Sequence, residues 1–329
     1  MKVLSTARTK LDNHSLNLKE GNATMREIVS AGRRSRGALL RGFLIFLTVS
    51  FFPTGVYSAE DIYKGLKNKL LQDGFSAQQV SSSFRPPPPP MFKLVAQTMK
   101  IREGVANYDF FLAPSEIASA RRFIADHRSS FRNAEAAYGV EPEIIAAILL
   151  VETHFGSYTG KTPTLAVLST FAIMDLKANR DNVWKLLPPH DRQKWGREAF
   201  DMKLIDRSGW AYRELCALME LRDKHGIRPE SLKGSIMGAI GWPQFLPSSL
   251  VKYGVDGNGD GRIDLYEAGD AIFSTANYLK GHGWCEAKSP AQKEAVIWEY
   301  NHSKAYVRVV LAIADRIGNE DRSGMMNAE

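Results

Sequence analysis

The sequence predicts a mostly α-helical protein, and three observations carry that prediction. From Pro114 onward apolar residues recur at helical spacing, and no series of alternating strand segments interrupts them. The 329 residues are 44% apolar and 24% charged, enough to bury the core of one large or two ordinary domains. The same composition excludes intrinsic disorder, and two cysteines exclude a disulfide-dense mini-protein.

The chain begins with a basic stretch. With 43 Lys+Arg against 36 Asp+Glu the net charge is +7, which points first to nucleic acid or an anionic membrane. Nine basic residues and three acids give residues 1–41 a net charge of +6, so everything beyond them carries +1. The excess is local, and a nucleic-acid partner loses its basis. Arg33 to Arg41 precede an apolar run, Gly42–Tyr57, broken by Pro53 and followed by Ser58 and Ala59. A basic n-region, a short apolar h-region and a small-residue cleavage site describe a secretory signal peptide. The run falls short of the roughly 20 residues that span a bilayer, so a membrane is a partner only if the leader stays uncleaved. Export places the mature chain in an oxidising compartment, where Cys216 and Cys285 either pair or remain buried thiols.

The mature part then reads in order. Glu60–Phe75 has a helical stripe of Ile62, Leu66, Leu70 and Leu71. Pro86–Pro90 cannot be helix and reads as a polyproline II strap lying on the main domain, since apolar Met91, Phe92 and Leu94 follow at once. Ser115 is the expected N-cap of a helix reaching Tyr138, and Pro142 opens the next, Glu143–Phe155. Further helices are expected over Thr164–Met174, Asp191–Leu204, Trp210–His225, Gly269–His282 and Ala305–Ile317. Residues 319–329 read as a flexible tail.

Chemistry first shows in the helix after Pro142. Ile145, Ile148, Leu149 and Glu152 lie at offsets 0, 3, 4 and 7 and share one face. That face is apolar, so Glu152 ends a buried stripe one turn before Gly156 stops the helix. Desolvation raises a carboxyl's pKa, which suits a general acid at neutral pH; a glutamate reaching solvent or pairing with an Arg is the alternative.

Two further segments stand out. Residues 234–249, GSIMGAIGWPQFLPSS, carry three glycines and two prolines and read as a close-packed turn lining a cleft. Gln244 and Phe245 offer hydrogen bonding and stacking there. Residues 256–267 fit D-x-[DN]-x-[DN]-G-x5-E, the EF-hand calcium loop, at every fixed position. Asp256, Asn258 and Asp260 supply side-chain oxygens, Arg262 its carbonyl, and Glu267 can close the shell around Ca²⁺. One loop without a paired second suits a structural site better than a sensor.

Taken together, Gly139-Val-Glu-Pro-Glu-Ile-Ile, Val151-Glu-Thr-His-Phe-Gly and Gly160-Lys-Thr resemble the catalytic segment of the lytic murein transglycosylase B family. These are lysozyme-like enzymes that cleave peptidoglycan glycan strands. The resemblance implies a lysozyme-like α domain over residues 114–318, with the EF-hand-like loop 256–270 inserted. A helical extension with the proline strap spans 60–113, after the signal segment 1–59. It equates Glu152 with a single catalytic acid/base. The 234–249 segment is similar to the family's Gly-Ala-Met-Gly-x-x-Gln-Phe-x-Pro-Ser-Ser signature, with Ile240 and Pro243 as departures. By that match Ser235 and Gln244 lie beside the acid and Phe245 lines the sugar groove. Tyr300 and Asn301 match the family's Tyr-Asn element, and Tyr108 an active-site tyrosine one position out of register. In the family the calcium loop is closed by an Asp three residues later, so either Glu267 or Asp270 is the last ligand. Lys177–Arg207 departs from the pattern, leaving Arg180 and Arg197 as candidates for an active-site arginine. The implied product is a 1,6-anhydro-muramoyl end, and the implied partners are glycan strands with cell-wall synthases or amidases. The implied state is a periplasmic monomer without an organic cofactor. A hydrolytic muramidase, or a calcium-stabilised glycan-binding wall protein without activity, remain the alternatives. No H-E-x-x-H, Walker A or G-x-G-x-x-G is present.

Overall fold

Prolines and buried aromatics decide where the helices of this chain begin and bend. The computed structural model describes residues 62–100, 108–287 and 289–326, with side chains as far as residue 319. The signal segment 1–59 lies outside the described residues. The described residues form one compact unit, so extension and main domain are a single body.

The first three helices are α1 (Lys64–Gln72), α2 (Ala77–Ser83) and α3 (Phe92–Thr98). Between α2 and α3 the proline strap runs without regular structure, with Pro88 buried. It ends where the Met91 backbone N–H donates to Thr170 Oγ1 at 3.0 Å, and Tyr63 reaches the same hydroxyl.

The single helix expected from Ser115 to Tyr138 is two, α4 (Pro114–Asp126) and α5 (Arg128–Tyr138). His127 leaves helical geometry at φ −114°, ψ 29°. On a straight helix Phe123 and Phe131, eight residues apart, would stand about 12 Å apart along the axis; the break lets the two rings meet edge-on at 5.6 Å. Nor is Ser115 the cap. Ala113 is, with Pro114 in the first turn, where its missing N–H leaves no bond unmade.

Helix α6 (Pro142–Thr153) is the centre of the core. Every residue from Ile144 to Val151 is buried, not one stripe alone. Around it stand α7 (Thr164–Ala172), α8 (Lys177–Leu186), α9 (Pro189–Trp195), the 29-residue α10 (Arg197–His225), α11 (Pro247–Tyr253), α12 (Ala268–Gly281), α13 (Pro290–Tyr300) and α14 (Lys304–Met326). α14 packs on α6, α10 on α7 and α11, and α12 on α5. α2, α3, α8, α11 and α13 were not anticipated; charged residues dilute the apolar spacing of α8 and α13. The last helix also runs past Ile317 to Met326, through the stretch expected to be a tail; Gly318 costs about 1 kcal/mol against Ala but does not stop a helix. Two short antiparallel strands, β1 (Thr162–Pro163) and β2 (Lys233–Gly234), are the sheet among the described residues.

No helix among the described residues is long and apolar enough to cross a membrane. The two cysteines are free thiols, Cys216 half-buried and Cys285 exposed.

Candidate active site

Glu152 lies half-buried in the last turn of α6. Its carboxylate Oε1 accepts a hydrogen bond of 2.9 Å from the Tyr306 hydroxyl, on the first turn of α14. Tyr306 is fully buried, stacked parallel to Tyr300 at 6.3 Å and met edge-on by Tyr108 at 6.1 Å. Burial first, and the Glu152 carboxylate second, push the phenols of Tyr306 and Tyr300 well above their ordinary range. Tyr306 therefore stays a neutral donor wherever the protein is folded and working.

Two turns frame this carboxyl, and both are strained. His154 (φ 50°), Phe155 (φ 53°) and Gln244 (φ 52°) are the non-glycine residues with positive φ among the described residues. Each costs roughly 1–2 kcal/mol, so the surroundings must hold them there. Phe155 is held by its ring, stacked on Phe123 at 4.3 Å, and His154 by Nε2 lying 3.0 Å from Glu116 Oε2. Gln244 is held by its own amide, whose nitrogen donates to the carbonyls of Gly241 (2.8 Å) and Thr159 (3.1 Å).

Those bonds lock one turn to the other. Thr153 Oγ1 donates to the Trp242 carbonyl and accepts from Gly156 N–H. A Cβ on Gly156 would lie 2.1 Å from Trp242 Nε1, and one on Gly160 2.1 Å from the Gly234 carbonyl. Only glycine allows that approach. Tyr300 closes the arrangement by donating to the Pro243 carbonyl at 2.6 Å.

The other residues expected here fall into distinct places. Ser235 Oγ accepts from the N–H groups of Met237 and Ala239 and shapes the glycine-rich turn. Phe245 does not line a groove: it is 0% exposed and packed against Tyr278 and Tyr300, because the turn's bend at Gln244 points it into the core. Tyr300 (1%), Asn301 and Tyr108 are buried as well, so their rings and amide support the site from beneath. Arg180 and Arg197 are fasteners between α8 and α10. Arg180 donates to the carbonyls of Met174 and Asp175 and pairs with Asp201; Arg197 pairs with Asp201 and Asp181. Burial opposes ionisation of Asp201, but hydrogen bonds from Arg197 and Arg180 win and hold it below its ordinary range.

Among the described residues, the buried carboxylates do not supply a second acid. Glu214 caps α11, accepting from Ser248 N–H and Oγ–H. Asp270 accepts from the N–H groups of Gly257, Asn258 and Asp264. Tyr306, Thr153 and Trp242 were missed by reading the sequence. For Tyr306 a signal existed: a tyrosine opening an apolar helix must find a partner for its hydroxyl.

In the 256–270 loop, Asp256 accepts from Gly259, Asp260 and Gly261 N–H, Asn258 from Asp260, and Asp260 from Arg262. Among the described residues no three His, Cys, Asp or Glu side chains converge as a metal-ligand cluster. The donors are nevertheless all oxygens, and a carboxylate has about four lone-pair sites, so these bonds leave room for a hard cation.

A helical body thus holds one tyrosine-bonded carboxyl between strained, cross-braced turns. Residues 58–294 match the transglycosylase SLT domain, and the chain belongs to that family. It is 34% identical over 181 residues to the membrane-bound lytic murein transglycosylase B of Escherichia coli (strain K12), a stretch of 55% of this chain and 42% of that protein. The chain thus spans about two-fifths of the length of that relative. Its fold is shared with the E. coli lytic transglycosylase Slt35 in complex with calcium, at TM-score 0.59 and 22% identity over 80% of this chain and 93% of that one. It is shared too with SltB3 from Pseudomonas aeruginosa in complex with NAG-anhNAM-pentapeptide, at TM-score 0.60 and 20% identity over 79% and 80%.

Proposed function

We propose that this protein is a peptidoglycan lytic transglycosylase in which Glu152 is the single acid/base. The observation that carries the reading is the Tyr306–Glu152 hydrogen bond at the end of a helix buried from Ile144 to Val151, while the buried carboxylates among the described residues, Glu214 and Asp270, are committed to other donors. A two-carboxylate glycosidase needs a partner acid at a defined separation, and none stands out among the described residues. Protonated Glu152 gives its proton to the bridging oxygen as the bond from C1 of N-acetylmuramic acid breaks. The ionised carboxylate then takes the proton of the muramoyl 6-hydroxyl, whose oxygen closes onto C1. The product is a 1,6-anhydro end, and no water is consumed. Tyr306 holds the carboxylate in one orientation for both transfers. Membership of the transglycosylase SLT domain family and the anhydro-muropeptide bound by SltB3 support this reading.

The loop at 256–270 fits a structural calcium ion held by Asp256, Asn258, Asp260 and the Arg262 carbonyl, as the calcium complex of Slt35 supports. Asp270 reaches the loop through the N–H groups of Gly257, Asn258 and Asp264, and Glu267 reaches it through Asn258, so either carboxylate can close the shell. The likeness to an envelope enzyme and the family match beginning at residue 58, beside the expected cleavage point, favour export of the mature chain.

Mass spectrometry of digested sacculi is the test. Wild type should release anhydro-muropeptides, and Glu152→Gln should cut that rate at least about 100-fold. Reducing ends in place of anhydro ends would instead establish a hydrolase, and undiminished release by the variant would remove Glu152 from the chemistry.

A further inference from the structure

The aromatic residues expected to contact sugars are buried, yet two others are not. Seven large hydrophobic side chains stand strongly exposed among the described residues, and the aromatic ones are Tyr158 at 58% and Phe110 at 44%. Both are tied to Glu152 by short structural links. Tyr158 lies in the turn that follows the acid, its N–H donating to the Thr153 carbonyl at 3.0 Å and its ring edge-on to His154 at 6.3 Å. The next carbonyl, Thr159, accepts from Gln244. Phe110 stands two residues after Tyr108, whose ring packs on Tyr306, the hydrogen-bond partner of Glu152; its own ring rests on Phe111 at 3.9 Å.

We infer that Tyr158 and Phe110 are the aromatic platforms on which glycan sugars stack, one on each chain segment that approaches Glu152. An exposed aromatic ring on mobile chain pays ordering entropy when it binds. These two are mounted on backbone that hydrogen bonds and ring contacts already fix, so that cost has been met at folding. Pyranose rings carry a face of C–H bonds, and an open aromatic face covers it while leaving the hydroxyls in water. The remaining exposed hydrophobics are aliphatic: Leu71 on α1, Leu176 and Leu186 at the two ends of α8, and Met202 and Ile205 on α10.

This inference rests on the glycan-cleaving reading, and its test separates the two. Binding of uncross-linked glycan strands of alternating N-acetylglucosamine and N-acetylmuramic acid is measured in the full chain carrying Glu152→Gln, so that no turnover intervenes. Adding Tyr158→Ala should weaken binding about fivefold to tenfold, Phe110→Ala somewhat less, and Tyr158→Trp should restore it, on the scale of one lost aromatic contact. In the active enzyme the alanine changes should raise KM and leave kcat, because a platform holds ground and transition states alike. Unchanged binding for both alanine variants, or a fall in kcat with KM constant, would overturn the platforms while leaving the acid in place. Absence of anhydro product from wild type, with platform-dependent binding retained, would fault the reaction and not the platforms.

Discussion

Two carboxylate regions of this molecule are built on opposite plans. Glu152 is met by a tyrosine 154 residues away in sequence, and the turns around it are pinned by contacts spanning 85 and 89 residues. Asp256 is met by N–H groups no more than five residues ahead of it. The first site exists only when the whole fold exists; the second is a local curl whose geometry its own side chains maintain. Strain falls the same way. Among the described residues, all three positive-φ residues that are not glycine stand at the acid, whereas the positive φ values of the loop are glycines with open space around them.

The largest expected effect comes from adding a methyl group to each region. Gly156→Ala drives a Cβ into the Trp242 ring at φ +81° and should destabilise the protein by about 3 kcal/mol in urea unfolding. Gly259→Ala, at φ +77° with nothing near, should cost only about 1 kcal/mol of backbone strain. Equal costs would mean that the acid's turns are no more tightly braced than the loop.

Calcium should act on the other side of the contrast. At about 100 times its dissociation constant, an ion that binds only the folded loop adds about 2.7 kcal/mol of stability, which a chelator removes. Asp256→Ala should abolish that increment while anhydro-product formation in calcium-free buffer stays as in wild type. A calcium-dependent rise in melting temperature that survives Asp256→Ala would place the ion elsewhere.

The same contrast explains what could be read from the chain. The D-x-N-x-D-G pattern was legible because its bonds are local, each residue serving a neighbour within reach. The helix carrying Glu152 was legible from its apolar run, though not that it is buried on every side. The helix break at His127 was invisible, since it answers to the packing of Phe123 against Phe131. Phe245 read as a groove residue because its neighbours spell a cleft-lining turn, but the direction of a side chain depends on φ at Gln244, and no propensity predicts a left-handed glutamine. Tyr158 and Phe110 were passed over because exposure is a property of the assembled surface.

Tyr306 offers the finest test of the long-range plan. Tyr306→Phe keeps the ring, its stack on Tyr300 and its burial, and removes only the hydroxyl that Glu152 accepts from. Loss of one hydrogen bond to a charged group, in a pocket that stays packed, should cost about tenfold in kcat/KM, or about 1.4 kcal/mol. It should also have a sign in pH. A donor to the ionised carboxylate favours that form; without it the protonated form gains ground, and Glu152 ionises at higher pH than in the parent. Because the reaction begins from the protonated acid, the alkaline limb of the kcat/KM profile should move to higher pH. An unmoved limb with reduced activity would assign Tyr306 to packing alone, and the acid's orientation would then have to come from the turn that follows it.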